Sequence, residues 1–495
     1  MASIKLSAPL LLTSLTTAVL AKNSSPVDLN WHAPKKSWIN DLDQVINGTG
    51  TNGFVFSASQ LPSGVQYGTY NWCNMPHVRR EEYKKAPDDY ELVYVEVFHR
   101  HHKRTPYASN TFPQESYGWD CDDQGLFYYG EPLNPTGNAS APTYWSVYTD
   151  PTNPFAQPGF KGSCQFPQIT RGGLDDSHQH GKDLYGVYHD LLHFLPSQPN
   201  QQVSYRVTNN VITSQVAGML INGMYPHPQS PIPLHIQPPN IDSLEPQYPC
   251  PPASSLYTSY STTSTAKNWT AHLTAAAPLF TALDTVSNIP PNSTDWHKSF
   301  DHYYDNLSAR QCHAKPLPCN PANPSLCITQ HQADTVYRLG QYEYSFIHRD
   351  SPASLAAATA SYGVYFAELA QHIRAARDGQ SAVRYRHNVA HDGSVARLLS
   401  FLQLDSMVWV GMGSEVVFEV YRRKTGGHEH EHEHGETDPE NKANHAIRIL
   451  WGGRVLTSSN PSLGSVDMLD LRVFLAYVDG LVGRGAGRVK RACGL

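Results

Sequence analysis

Arg100-His101-His102-Lys103-Arg104, with Pro106 just beyond, gathers three cations and two imidazoles into one short stretch; far downstream, His391-Asp392 sets an imidazole beside a carboxyl group. These residue types suit phosphate-ester chemistry. A phosphate ester is an anion that repels nucleophiles, so its cleavage calls for charge neutralisation, in-line positioning and protonation of a poor alkoxide leaving group. Arginine serves the first need because its planar fork matches phosphate oxygens and keeps its charge. A neutral histidine nitrogen is nucleophilic at acidic to neutral pH. A carboxylic acid beside an anionic phosphate has its pKa raised and can protonate the leaving oxygen. On these grounds Arg100 and Arg104 are candidate phosphate holders and Asp392 a candidate acid. His101 is the candidate nucleophile, although residue type alone does not separate it from His102. The competing reading of the cluster is a basic surface loop or nucleic-acid patch.

The elements around the two clusters favour a site. Residues 91–98, rich in β-branched and aromatic side chains, predict a buried strand that runs directly into the first cluster, and Pro106 forbids continuing its ladder. Ligand sites of α/β proteins lie at that carboxyl edge of the sheet. Residues 382–390 predict a second strand and 395–404 a helix, so His391 and Asp392 stand where backbone N–H groups and the helix dipole favour an anion. Further helices are predicted over 174–195, ended by Pro196, over 213–224 and over 361–376, with a strand at 203–207. Strands at 415–421 and 446–450 are expected to pair as a hairpin, with residues 426–435 as its loop. Residues 22–90 have no clear periodicity and predict a surface wrap. Residues 107–166 read as a long excursion, and the proline- and serine-rich stretch 225–324 as inserted cap rather than sheet.

Arg100-His101-x-x-Arg104-x-Pro106 resembles the Arg-His-Gly-x-Arg-x-Pro signature of the histidine acid phosphatases, the branch of the histidine phosphatase superfamily that includes phytases. His391-Asp392 is similar to that family's His-Asp pair, and Gln168-Ile-Thr-x-x-Gly173 to its Gln-Leu-Thr-x-x-Gly segment. Order, spacing and setting agree over roughly residues 90–480. The resemblance implies that His101 attacks phosphorus and becomes a phosphohistidine. Arg100, Arg104 and His391 would hold phosphate, Asp392 would be the general acid, and water would release the product. Two departures stand out. The family's glycine after the nucleophile is His102 here. In the family's Arg-x-Ser/Thr-x-x-x-Arg segment, Arg206 fills the first position but Ile212 the second, so Arg206 either reaches the phosphate or is structural.

Other features set bounds. The chain has 495 residues, 40% hydrophobic and 16% charged, enough to bury a substantial core. A net charge of −6 gives no general attraction to nucleic acid or to an anionic membrane. Residues 1–21 read as a signal peptide, with Lys5, an apolar run and Val19-Leu20-Ala21 before the expected cleavage. Glycosylation triplets begin at Asn23, Asn47, Asn138, Asn268, Asn292 and Asn306. Eight dispersed cysteines read as disulfides of an oxidising compartment, with Cys312, Cys319 and Cys327 stapling a loop. His189 and His193 read as an ordinary helix face, His178 and His180 as surface or supporting residues, and the His-Glu tract at 428–434 as a solvated insertion. No Gly-x-Ser-x-Gly elbow and no Walker loop is present.

The expectation is therefore an α/β fold: a mostly parallel sheet flanked by helices, formed by residues 22–224 and 384–495, with a mainly helical cap inserted at 225–383. Its expected activity is secreted, acid-favoured hydrolysis of a small-molecule phosphomonoester, with no metal or cofactor and no nucleic-acid or membrane partner. The alternative is an extracellular binding or signalling protein that keeps the fold with weakened catalysis.

Overall fold

The structure, a computed structural model, describes residues 27–56, 63–113, 118–121, 162–227, 231–263, 265–424 and 444–495, with a few positions between 127 and 154. The expected signal peptide, the triplets at Asn23 and Asn138 and the His-Glu tract lie outside the described residues.

The site is organised by β1 (Tyr90–Arg100), whose side chains alternate between two apolar clusters. Tyr94 and Phe98 join one, Val95 and Val97 the other. The other strands of its sheet are β2 (Val203–Val207), β3 (Leu234–His235), β4 (Tyr385–Ala390), β5 (Glu415–Arg423), β6 (His445–Trp451), β7 (Arg454–Val455) and β8 (Leu469–Asp470). Their order is β7-β6-β5-β1-β4-β2-β3, with β8 on β6. The run β1-β4-β2-β3 is parallel, while β5 pairs antiparallel with both β1 and β6. The sheet is thus mixed around a parallel core, and the expected hairpin is present.

Helices α1 (Arg171–Tyr185) and α2 (Val211–Met224) cover one face. They approach so closely that a Cβ on Gly181 would stand 2.0 Å from the Leu220 carbonyl oxygen. A π-helical turn, Gly186–Leu191, extends α1 where the sequence predicts continuous helix. Helices α3 (Asp301–Cys312) and α4 (Gln330–Ser345) belong to a separate helical layer with its own apolar cluster. The opposite face of the sheet carries α5 (Ser354–Arg377), α6 (Asp392–Phe401) and α7 (Leu471–Val482). Each large apolar side chain fully buried there contributes on the order of 1.5–3 kcal/mol.

Several expectations need correcting. Helix α5, assigned with the inserted segment 225–383, packs Tyr362, Phe366 and Leu369 against sheet residues such as Phe98 and Phe418. Leu234–His235, read as cap, adds a parallel strand beside Tyr205 and Arg206. The 22–90 segment is no mere surface wrap, since Tyr70, Trp72, Cys73, Met75 and Val78 are buried. Asn306 is buried as well and bonds through its amide to the Asn110 carbonyl, which leaves no room for a glycan. The eight cysteines pair as Cys73–Cys312, Cys121–Cys164, Cys250–Cys493 and Cys319–Cys327. Cys312 therefore reaches back to Cys73 instead of joining the staple between Cys319 and Cys327. No helix among the described residues is long and apolar enough to cross a membrane.

Candidate active site

Parallel pairing of β1 with β4 brings the two polar clusters together. Arg100 lies opposite Ala390 in register, and the His101 backbone N–H donates to the Ala390 carbonyl at 3.0 Å. Both strands end there. Beyond them run the 101–106 loop and, at the N-terminus of α6, His391 and Asp392.

The loop is clamped by the 168–173 segment. The Thr105 N–H donates to the Gln168 carbonyl at 3.0 Å, and the Gln168 N–H to Thr105 Oγ1 at 3.0 Å. Thr170 caps α1 by accepting from the Gly173 N–H, and its own N–H donates to the Lys103 carbonyl. A Cβ on Gly173 would stand 2.0 Å from that carbonyl oxygen, so glycine is what permits the helix end to seat on the loop.

His101 is buried, and its Nδ1 lies 3.0 Å from the His102 carbonyl oxygen. A carbonyl only accepts, so Nδ1 carries the proton and Nε2 the free lone pair. Burial first, then the charges of Arg100 and Arg104, hold the His101 pKa well below that of ordinary histidine. The neutral form of the ring is thereby favoured. The His391 ring packs edge-on at 5.4 Å between centroids, with Nε2 fixed by Thr208 Oγ1 at 2.9 Å. Burial brings the His391 pKa down to about 4.

Arg100 is fully buried, its guanidinium over the Trp72 ring and 2.9 Å from Asp392 Oδ2. Arg104 lies over Tyr107 and pairs with Asp305 of α3 at 3.0 Å. Burial pushes the Asp392 pKa up, but Arg100 and Arg104, with the Gly393 N–H and His391, outweigh it and hold the carboxyl below its usual value. Its side chain is 29% exposed, the open flank of an otherwise buried cluster. Such an arrangement can bind a tetrahedral anion between guanidinium groups, with an imidazole nitrogen on one side and a carboxyl group on the other.

His101, Arg100, Arg104, His391 and Asp392 are therefore brought together. Arg206 is not: its guanidinium bonds Glu368 at 2.9 Å and Asp242 at 3.1 Å, and also reaches Gln237 and Ser243, a network apart from the Arg100–Asp392 pair. Ile212 is buried against Ile169, Val207 and Val389. His102, whose side chain raised the question of crowding, is accommodated by Gly413: a Cβ there would fall 2.4 Å from the His102 ring. His189 bonds Asp190 and stacks on Tyr185 instead of sharing a ligand with His193. His180 is no surface residue but fully buried. Sequence reasoning missed Asp305 and Trp72, which lie outside the quoted motifs, and the part of Thr208, which sits between Arg206 and Ile212 in a quoted motif and bonds His391. A polar residue opening an apolar strand, as Glu415 does, is a signal that was available.

No family model matches the chain. Among curated proteins it is 25% identical to Counting factor 60 of Dictyostelium discoideum over 356 residues, covering 68% of this chain and 77% of that protein. Among solved structures, Hafnia alvei phytase in complex with tartrate superposes at a TM-score of 0.51 with 12% identity, covering 81% of this chain and 99% of the phytase. This chain has a phytase fold. The sheet and helices that carry the cluster are thus those of a known architecture, and the chemistry rests on the side chains described above.

Proposed function

We propose that this chain belongs to the histidine acid phosphatase family and hydrolyses small phosphomonoesters through a phosphohistidine on His101. The observation that carries the reading is the His101 ring itself: neutral, tied through Nδ1, and set among Arg100, Arg104, His391 and Asp392. Arg100, Arg104 and His391 bind the phosphate oxygens. His101 Nε2 attacks phosphorus as the ester P–O bond breaks, and the leaving alkoxide takes the proton of Asp392. A water molecule then gives a proton to the Asp392 carboxylate and attacks the phosphohistidine. Inorganic phosphate leaves, and both groups return to their starting state. Charge neutralisation comes from the guanidinium groups, so the scheme uses no metal ion. The helical layer between Pro251 and Ser345 caps the site, and four disulfides support secretion.

A second reading, a binding or signalling protein with weakened catalysis, is favoured by Arg206 and Ile212, neither of which is available to hold phosphate. Purified protein given an aryl phosphate at about pH 5 separates the two, because general acid catalysis needs protonated Asp392. Turnover inhibited by vanadate and lost in His101→Ala supports the phosphatase. Phosphate binding without turnover supports the binder.

A further inference from the structure

Behind the loop that carries His101, on the face of β1 covered by α1, lies a second group of imidazoles that the proposed reaction does not use. His99, His102 and His180 are all fully buried, and one ring nitrogen from each lies within 4.8 Å of the other two. His102 Nε2 and His180 Nδ1 are 3.1 Å apart. Tetrahedral coordination with zinc–nitrogen bonds of about 2.0–2.1 Å sets ligand nitrogens about 3.3 Å apart, so this pair already spans a ligand edge.

Two further observations point to an ion. The far nitrogen of His180, Nε2, bonds buried Glu415 at 2.8 Å. Metal-binding histidines characteristically give their second nitrogen to a carboxylate, which fixes the ring and balances charge. His99, in contrast, makes no hydrogen bond of ordinary geometry through either ring nitrogen; burial holds its pKa well below that of ordinary histidine, and the nearby Arg100 backbone acts the other way. A fully buried imidazole with both nitrogens unengaged is costly unless a ligand engages one of them. Glu415 is itself held by the Val78 N–H at 2.8 Å, and the nearby Lys103 is paired with Asp176 at 2.9 Å.

We propose that His99, His102 and His180 bind one divalent first-row transition ion, zinc by preference, with Glu415 as the orienting carboxylate. Three imidazole nitrogens suit zinc or copper; calcium and magnesium take oxygen ligands. When the ion binds, the proton on His102 Nε2 moves to Nδ1 of the same ring, so that Nε2 ligates as a neutral imidazole. Two ligands flank Arg100-His101 on the chain and the third belongs to α1, so the ion clips the nucleophile loop to the helix. It has no part in bond breaking. Because the site is buried, it loads as the chain folds.

The test uses the full chain carrying His428→Ala, His430→Ala, His432→Ala and His434→Ala, which removes the His-Glu tract as a competing binder. The protein is produced with zinc and dialysed against a chelator, and its metal content is measured by mass spectrometry. One equivalent of zinc is expected, falling at least tenfold in His102→Gly and in His180→Gln. If those variants fail to fold, X-ray absorption of the parent protein decides, with an imidazole-rich nitrogen shell as the expected result. A parent protein with less than a tenth of an equivalent overturns the proposal. Zinc retained in both folded variants, or a zinc shell without imidazole, overturns it too.

Discussion

In the free protein Arg100 and Arg104 hold Asp392 ionised, whereas a general acid must carry a proton when the alkoxide departs. Substrate reconciles the two demands. A bound phosphate dianion offsets the guanidinium charges and stands close to the carboxylate, both of which raise its pKa. The sign follows: activity is highest where the complexed carboxyl is protonated and declines as pH rises through that pKa. Asp392→Asn is expected to slow alkyl phosphates about 100-fold or more, the low end of general acid effects, and aryl phosphates with good leaving groups far less. Rates on a leaving-group series check this, and an equal loss across the series contradicts the assignment. At this scale Arg100, Arg104 and Asp392 announce a chemistry by type and neighbours, His101 does so only jointly with His102, and the place of His391 came from the family resemblance. Arg206 did not announce its place, because only tertiary contacts decide which acceptors a guanidinium meets. Asp305 comes from an unrelated segment and was invisible for the same reason, and Thr208 stood in a quoted motif that did not show it would hold His391.

Strand and helix ends set the geometry of those residues. β1 was readable because its apolar run ends abruptly in charge, and the register with β4 does the rest. Helix α5 was readable as a helix, yet its assignment with the insertion fails because an apolar stripe does not say which surface it faces. Two residues, Leu234–His235, are too few to give a periodic signal, and a strand that short depends on its neighbour. The Gln168–Gly173 clamp yields a prediction at this scale. Gly173→Ala drives a methyl group onto the Lys103 carbonyl, so it should destabilise the fold by about 1–3 kcal/mol as overpacking does. Activity should fall with it, because the carbonyl belongs to the nucleophile loop. Urea unfolding checks this, and an unchanged midpoint removes the clamp from the account.

Across the whole molecule, buried histidines couple stability to pH. Burial lowers the pKa of His313 to about 4, of His348 to about 3 and of His391 to about 4. An unfolded chain would protonate these rings near pH 6.5, so below that point it binds more protons than the native state, and native stability falls as the solution is acidified towards pH 4. Glu415, raised to about 7 by burial, works against this trend with one proton. The three histidines outnumber it, and the melting temperature should be lower at about pH 5 than at about pH 7. Calorimetry at the two pH values checks this; an equal or higher melting temperature in acid contradicts it.

If His101 Nε2 becomes bonded to phosphorus during turnover, the phosphorylated protein can be trapped. Purified protein is mixed with an aryl phosphate, denatured in alkali within the first turnover and examined by intact and peptide mass spectrometry. A gain of one phosphoryl group, alkali-stable and acid-labile, is expected on the peptide containing His101, with no gain in His101→Ala. Turnover with no phosphorylated histidine at that position would contradict the assignment of His101 as nucleophile.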